Sequence, residues 1–255
     1  MVWIIIFFFG LLIGSFLNCL IYRLENDKDF IKGRSYCPHC REFIKFYDLI
    51  PVLSFFFLRG RCRNCSQKIS YQYPLVEMAT GLIFIFIFQR ADLGFWGILE
   101  TIYLLTIFSL LMVIFVYDLK HYLIPDTAIF AAIGLSLIWG ISQLLADRLT
   151  LVDFSFFLLA GMIAASLFFT IFFFSQGTWL GFGDVKVVFF MGLFLGYPEI
   201  IIALFSSFAS GAIIGTVMII FKKKELKSEI PFGPFLIFGT TLAFFWGETI
   251  LKHLT

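Results

Sequence analysis

Long apolar runs dominate the chain and are separated by short polar segments. An α-helix needs about 20 mostly apolar residues to cross a bilayer. By that measure the pattern predicts an all-α polytopic membrane fold of about eight spans, at 2–22, 75–89, 97–117, 127–145, 153–174, 185–197, 199–221 and 232–250. The runs 75–89 and 185–197 are short, so either is tilted, partly re-entrant or buried among its neighbours, and seven spans is the alternative.

The composition agrees with a chain that lies mostly in lipid. Hydrophobic residues make up 60% of the sequence, aromatic residues 20%, and the mean hydropathy is +0.97. These values exclude a water-facing globular protein. We interpret the 37 phenylalanines as lipid-facing and packing residues. A net charge of +2 is too small to indicate nucleic-acid binding, and no nucleic-acid partner is expected.

The basic residues lie on one side of the predicted spans. None precedes the first apolar run, whereas that run is followed by Arg23, Lys28, Lys32 and Arg34. We therefore expect a retained anchor that enters from outside, and not a cleaved signal peptide. The alternating cytoplasmic segments, together with Lys186, carry sixteen of the nineteen lysines and arginines; the segments are 23–74, 118–126, 175–184 and 222–231. The positive-inside rule predicts this orientation, and the lysines at 222–224 and 227 are interpreted as an anchor to anionic lipid.

One polar segment, about 23–73, is long enough for a small cytoplasmic domain but has few apolar residues for a core. It contains two Cys-x2-Cys pairs separated by 21 residues, Cys37/Cys40 and Cys62/Cys65. This spacing is typical of a tetrahedral zinc site, and four thiolates leave no position for water, so the zinc would be structural. Reduced free thiols, a redox pair, or His39 in place of one ligand are the alternatives. Cys19 lies in an apolar run and is interpreted as a packing residue.

Two acids lie in the polar loop after the third apolar run. Asp126 follows Pro125 and precedes a long apolar run, which favours an N-cap or first-turn acid. Asp118 directly follows an apolar run, where a carboxylate opposes the helix macrodipole and brings no evident structural benefit. Asp118 is therefore a candidate for chemistry.

A third acid, Asp184, lies in the sequence Gly181-Phe182-Gly183-Asp184, just before an apolar run that begins on the same predicted face as Asp118. The two glycines permit positive φ angles or a close backbone approach around the carboxylate. Two aspartates at one membrane depth suggest a pair of carboxyls that share one proton, as in aspartic proteases. Two separate helix-end acids are the alternative.

Several motifs together resemble the type IV prepilin peptidases, the membrane aspartic peptidases with a Gly-x-Gly-Asp motif. They run nearly end to end: Gly10, Gly14-Ser15-Phe16-Leu17-Asn18, Tyr22-Arg23, both cysteine pairs, Tyr73-Pro74-Leu75-Val76-Glu77, Asp118, Ile124-Pro125-Asp126, Gly181 to Lys186, and Ile230 to Phe235. The resemblance implies that Asp118 and Asp184 are the catalytic pair. It also implies an inner-membrane enzyme that cuts the short basic leader of prepilins or pseudopilins after a glycine, on the cytoplasmic side, in association with pilus or secretion assembly machinery.

Many members of the family then methylate the new N-terminal residue with S-adenosylmethionine, and the cysteine-bearing domain is associated with that activity. The resemblance therefore implies a bifunctional enzyme with zinc and S-adenosylmethionine as cofactors. The polar segment is too small for a doubly wound nucleotide-binding domain and has no Gly-x-Gly-x-x-Gly motif, so a methyl-donor site would be built differently. The expected division is a first span at 1–22, a tetra-Cys zinc domain at 23–73 and a peptidase domain at 74–255.

Three further residues have open roles. One interpretation of Glu77 is a first-turn acid after Pro74. The other is a residue that takes part in methyl transfer or forms an ion pair with Arg23. Glu77 and Arg23 are therefore weak candidates for the methyl-donor site. Lys186 could support the motif by pairing with a catalytic carboxylate. The rival functions are a peptidase without methyl transfer, a non-catalytic assembly scaffold, and a cation- or proton-coupled transporter, whose acids are expected near the bilayer midplane.

Overall fold

The computed structural model describes residues 2–26, 35–92, 94–221 and 230–254. Within these ranges the chain is helical with no strand, which confirms the all-α prediction. The helices are α1 Val2–Glu25, α2 Leu53–Phe57, α3 Gln72–Gln89, α4 Phe95–His121, α5 Asp126–Leu145, α6 Leu151–Ser175, α7 Phe182–Leu195, α8 Glu199–Ile220 and α9 Gly233–Leu254, and a 3-10 turn lies at Phe46–Leu49. The basic residues Lys28, Lys32, Arg34, Lys222, Lys223, Lys224 and Lys227 lie outside the described residues.

Seven of the helices in the described ranges are long and apolar enough to cross a membrane, so the chain is a multi-pass membrane protein. The expected count of about eight is not confirmed, because the run 185–197 forms α7, a helix of 14 residues. At 1.5 Å per residue α7 is about 21 Å long, which is short of the roughly 30 Å hydrocarbon core. The described residues thus contain seven full-length spans, which is the alternative count given above.

Helix α7 is enclosed by protein. It contacts α5, α6, α8 and α9, and Val187, Val188, Phe190 and Met191 have no exposed surface. A helix surrounded in this way does not have to match the thickness of the bilayer, because neighbouring side chains replace lipid around it. Burial by neighbours, which was one of the three expectations for this run, is therefore the one that the structure supports.

By its internal contacts the chain divides into two compact units, one from the N-terminus to Val113 and the other from Ile114 onward. In the first unit α1 packs along α3. A Cβ atom on Gly10 would lie 2.7 Å from the Gly81 Cα atom, and one on Gly14 would lie 2.7 Å from the Glu77 Cα atom. The two backbones meet at a Gly-x-x-x-Gly face, a common means of close helix packing in membranes.

Gly14→Ala should therefore lower the melting temperature of the detergent-solubilised protein by several degrees. The added methyl group overlaps the α3 backbone and forces the helices apart, which costs about 1–3 kcal/mol. Gly134→Ala is the matched control, because nothing lies within 4 Å of its added Cβ atom, and alanine favours a helix by up to about 1 kcal/mol. Equal melting temperatures for the two variants would contradict the close α1–α3 contact.

Candidate active site and metal centre

Asp118 lies in the last turn of α4, three residues before the helix ends at His121. Only 4% of the residue is exposed. The backbone amide of Gly233, the first residue of α9, faces the carboxylate, yet the buried Oδ2 atom accepts no hydrogen bond from any described residue. A buried carboxylate oxygen without a partner is costly and is therefore typical of a functional group.

Asp184 lies in the first turn of α7, and 8% of the residue is exposed. Its Oδ2 atom accepts a hydrogen bond from the Gly181 N–H group at 3.1 Å, and its own N–H group donates to the Gly181 carbonyl at 3.1 Å. Asp184 thus caps its own helix, where the helix dipole also favours a negative charge. One of its two carboxylate oxygens is held by these contacts.

The two aspartates belong to the second unit, and the charge of Asp118 acts on the carboxyl group of Asp184. Ile124, in the α4–α5 loop, lies near Gly183, which precedes Asp184, and near Gly233, which contacts Asp118. A Cβ atom on Gly183 would lie 3.0 Å from the Ile124 Cβ atom, and one on Gly233 would lie 3.5 Å from its Cδ1 atom. The loop after α4, the start of α7 and the start of α9 therefore meet around two buried carboxyl groups.

The Gly-x-Gly-Asp motif provides space and not an unusual backbone conformation. Gly181 has φ −76° and Gly183 lies within α7, so of the two expectations for these glycines close backbone approach is the one observed. Gly183 admits the Ile124 side chain. A side chain at 183 would push this loop, and with it the end of α4, away from the start of α7.

Lys186 lies two residues beyond Asp184 in α7 but does not contact it. In the described part of the chain its Nζ atom pairs with Asp126 at 2.6 Å, and it lies 5.1 Å from the ring centroid of Phe130 and 5.0 Å from that of Phe182. The expected first-turn position of Asp126 in α5 is confirmed. Lys186 therefore links the starts of α5 and α7, and it reaches neither Asp118 nor Asp184.

Under the expected catalytic role of Asp118, Gly233→Ala should reduce the rate of leader cleavage about 100-fold, because misplacement of a catalytic group by roughly 1 Å has that effect. The added Cβ atom would lie 2.6 Å from Asp118 Oδ2 and 3.2 Å from its Cγ atom, so the carboxyl group must move. The control is Gly211→Ala in α8, whose added Cβ atom meets its nearest neighbour, in Phe235, at 3.5 Å. Initial cleavage rates of both variants measure the effect, and normal turnover by Gly233→Ala would contradict the role of this contact.

The four paired cysteines converge in the first unit, in the stretch 35–71 that we call the tetra-Cys segment. The Sγ atoms of Cys37, Cys40, Cys62 and Cys65 all lie within 4.8 Å of one another, and the Cys37 and Cys65 sulfurs are 3.9 Å apart. Tetrahedral zinc with bonds of about 2.3 Å places its sulfur ligands about 3.8 Å apart. The donor set and its spacing therefore fit a zinc ion.

The two cysteine turns repeat the same backbone structure with an offset of 25 residues, from Cys37 to Cys62. In each turn the first cysteine N–H group donates to the carbonyl five residues later, in Glu42 and in Gln67. The residue before that carbonyl has a positive φ angle, at Arg41 (59°) and at Ser66 (57°). Isolated bridges flank both turns in the same register, Tyr36 with Phe43 and Arg61 with Lys68. The amino-acid sequence alone does not reveal this repeat, because the equivalent positions share little besides the cysteines.

Backbone amides favour thiolate formation at this centre. The N–H groups of Cys65 and Asn64 lower the pKa of Cys62 to about 7 despite partial burial. The Glu42 amide lowers the pKa of Cys40, but burial and the other three thiols together raise it to about 11. Amide donors directed at ligand sulfurs are the outer-shell contacts expected around a metal–thiolate group.

Family models match the chain in two consecutive regions. A bacterial peptidase A24 N-terminal domain matches residues 8–91, which include the four clustered cysteines, and a type IV leader peptidase family model matches residues 105–216, which include both aspartates. The chain belongs to the type IV leader peptidase family. It is therefore a membrane-embedded peptidase, which confirms the resemblance seen in the sequence.

Relatives of this family peptidase match nearly its whole length. Proteins from Aeromonas hydrophila, Legionella pneumophila and Bacillus subtilis (strain 168), each named prepilin leader peptidase/N-methyltransferase, are 32% identical to it. The alignments cover 97%, 98% and 97% of this chain and 92%, 93% and 96% of the three relatives, respectively. No solved structure shows a significant match to the chain.

In this member of the family Glu77 is not a first-turn acid. Helix α3 starts at Gln72, so Glu77 lies in the second turn, with 6% of its surface exposed. Its Oε2 atom accepts a hydrogen bond from the Val52 N–H group at 2.7 Å, and the Ser15 hydroxyl lies against the carboxylate. The first-turn interpretation is therefore wrong. Arg23 lies in the last turn of α1, and Cys19, outside the thiol cluster, is partly buried in α1.

Proposed function

We propose that the chain removes the short basic leader of prepilins or pseudopilins after a glycine, and then N-methylates the new N-terminal residue. The relatives' name, prepilin leader peptidase/N-methyltransferase, supports both activities. The observation that carries the peptidase part is the convergence of two buried carboxyls, Asp118 and Asp184, in the region that matches the leader peptidase family. The products would serve the assembly of pili or of a secretion system.

In the proposed mechanism the two aspartates share one proton. The ionised member removes a proton from a water molecule, which attacks the scissile carbonyl, while the protonated member donates a hydrogen bond to the carbonyl oxygen. The roles reverse when the new amine leaves. The Gly181 amide orients Asp184 through one oxygen, and the Gly233 amide faces Asp118, so each carboxyl keeps an oxygen available for the substrate or for water.

The position of the pair suits a cut near the membrane surface. Asp118 lies in the last turn of the spanning helix α4 and Asp184 in the first turn of α7, so both lie where helices leave or enter the connecting loops. The expected orientation places these loops and the tetra-Cys segment on the cytoplasmic face of the inner membrane. This position at helix ends argues against a transporter function, because the acids of transporters lie at broken helices near the bilayer midplane.

For methyl transfer we propose S-adenosylmethionine as the donor and a structural zinc ion held by Cys37, Cys40, Cys62 and Cys65. The metal would stabilise the tetra-Cys segment and would not activate water, since four thiolates complete its coordination. The proposed division is a first span at 1–22, a zinc domain at 23–73 and a peptidase domain at 74–255. Arg23 and Glu77 lie in the first unit together with the zinc domain.

Mass spectrometry of a prepilin after incubation with the detergent-purified protein tests both activities, with and without S-adenosylmethionine. We expect loss of the leader in both samples, and one added methyl group on the new N-terminus only when the donor is present. Loss of the leader alone would reduce the protein to a peptidase. Failure to cut several different prepilins, by protein that is folded by thermal melting, would overturn the proposal and favour a transporter or scaffold.

A further inference from the structure

The short helix α2 of the tetra-Cys segment exposes an apolar face. Leu53, Phe56 and Phe57 have the three- and four-residue spacing that places side chains on one side of a helix. All three are exposed, and 83% of Phe57 is accessible. A face of this kind is unfavourable in water and indicates a contact with an apolar surface.

This face continues the outer surface of a membrane span. On α3 the exposed residues Leu75, Met78, Leu82 and Phe86 form one stripe at three- and four-residue spacing, and exposed apolar residues of a spanning helix face lipid. Tyr71, four residues before Leu75, is also exposed, and its carbonyl accepts the Leu75 N–H hydrogen bond, so it extends the stripe by one turn.

The Tyr71 ring connects the stripe to α2. Its centroid lies 5.4 Å from that of Phe55, and the Phe55 centroid lies 6.4 Å from that of Phe56. Ring contacts therefore connect the exposed stripe of α3 with the exposed apolar face of α2. A tyrosine at this junction is typical of the boundary between lipid and water.

Glu77 holds α2 against α3. Val52, the residue before α2, has φ 61°, a conformation that is strained for a β-branched side chain. Its N–H group donates the 2.7 Å hydrogen bond to the buried Glu77 carboxylate. The start of α2 is thus attached to the second turn of α3, near the N-terminal end of that helix, which directly follows the tetra-Cys segment.

The charge of the segment suits a lipid headgroup layer. The segment contains six exposed basic residues and only two acidic ones, Glu42 and Asp48. The basic residues are Arg41, Lys45, Arg59, Arg61, Arg63 and Lys68. A zinc ion bound by four thiolates adds negative charge but does not cancel this surplus. Basic residues beside exposed aromatic ones are the combination found in segments that bind anionic lipid surfaces.

We propose that α2 lies in the headgroup boundary of the same bilayer that α1 and α3 cross, with Leu53, Phe56 and Phe57 among the lipid chains and the basic residues at anionic headgroups. The tetra-Cys segment is then a membrane-bound lobe, attached to lipid along α2 as well as through its two flanking spans. Glu77 acts as the positioning residue that sets the depth of α2.

The test uses the photoreactive residue p-benzoylphenylalanine in place of Phe57, Leu82 or Asn64, in nanodiscs of phosphatidylethanolamine and phosphatidylglycerol. Leu82 is the lipid-facing reference, and Asn64, exposed between Cys62 and Cys65, is the water-facing one. After irradiation, intact mass spectrometry should show lipid adducts at 57 and 82, and about tenfold less at 64. Each variant is first shown to keep the melting temperature and the zinc content of the unsubstituted protein, so that a misfolded tetra-Cys segment is excluded.

Equal amounts of lipid adduct at positions 57 and 64 would overturn the proposal. A prepilin adduct at position 57 that replaces the lipid adduct when substrate is added would also overturn it, since the apolar face of α2 would then bind substrate. The unsubstituted chain offers a second measurement. Hydroxyl radicals label water-exposed side chains, so Phe57 in nanodiscs should be labelled far less than the exposed His39. Labelling in proportion to its 83% exposure in the protein alone would contradict a position in lipid.

Discussion

Asp184→Asn should abolish leader cleavage, with a rate at least about 10³-fold below that of the unsubstituted protein, as expected when a general acid–base group is removed. Asparagine has the same shape, and its side-chain oxygen can still accept the Gly181 N–H hydrogen bond that caps α7. The fold and membrane insertion are therefore expected to persist. What is lost is the carboxyl group that exchanges a proton with water and with the leaving amine.

Asp153→Asn is the matched control for this substitution. Asp153 occupies the same position in α6 as Asp184 does in α7, three residues after the N-cap, and it contacts the N-cap residue Thr150 through both its N–H group and its carboxylate. It is exposed and distant in sequence from the proposed pair. The time course of prepilin cleavage in membranes measures both variants. Normal cleavage by Asp184→Asn would remove the carboxyl pair from the mechanism.

Loss of the metal from the tetra-Cys segment should abolish methyl transfer while leader cleavage persists. We expect this result for Cys62→Ser and for chelator-treated protein. Structural zinc sites contribute about 10–16 kcal/mol of apparent binding free energy, which in small domains is also folding free energy. The segment has little else to hold it together, since among its described apolar residues only Cys37 and Pro51 are buried.

Cys19→Ser is the control, because this thiol lies in α1 outside the cluster. Zinc content by elemental mass spectrometry and the methylation state of the cleaved prepilin are measured on the same samples. Cys19→Ser should retain both the metal and methylation. A zinc-free Cys62→Ser protein that methylates its product at the normal rate would separate the metal from this activity and contradict the prediction.

Several features could be predicted from the chain alone because they depend on local patterns. Seven apolar runs form helices long enough to span a membrane, since an α-helix satisfies the backbone hydrogen bonds of such a run within the run itself. The cysteine spacing correctly indicated one thiol cluster. Asp126 occupies the first turn of its helix, as its position after Pro125 suggested.

The predictions of other features were wrong or stayed open because these features depend on contacts between residues that are distant in the sequence. The contact of Glu77 with Val52 joins residues 25 positions apart, and no periodicity reveals it. The 14-residue length of α7 is compatible with the fold only because four other helices surround it. The equivalence of the two cysteine turns lies in backbone angles and not in residue identities.

The amino-acid sequence by itself determined the membrane class, the all-α fold, the four cysteines of the thiol cluster and, through its motifs, the peptidase family. These properties follow from composition and from spacing along the chain. Tertiary structure alone decided that the Asp118 Oδ2 atom is buried without a partner, that Gly183 and Gly233 admit Ile124 beside the aspartates, and that Lys186 pairs with Asp126. Each of these depends on which helices pack together, and packing is set by the whole set of long-range contacts and not by any one segment.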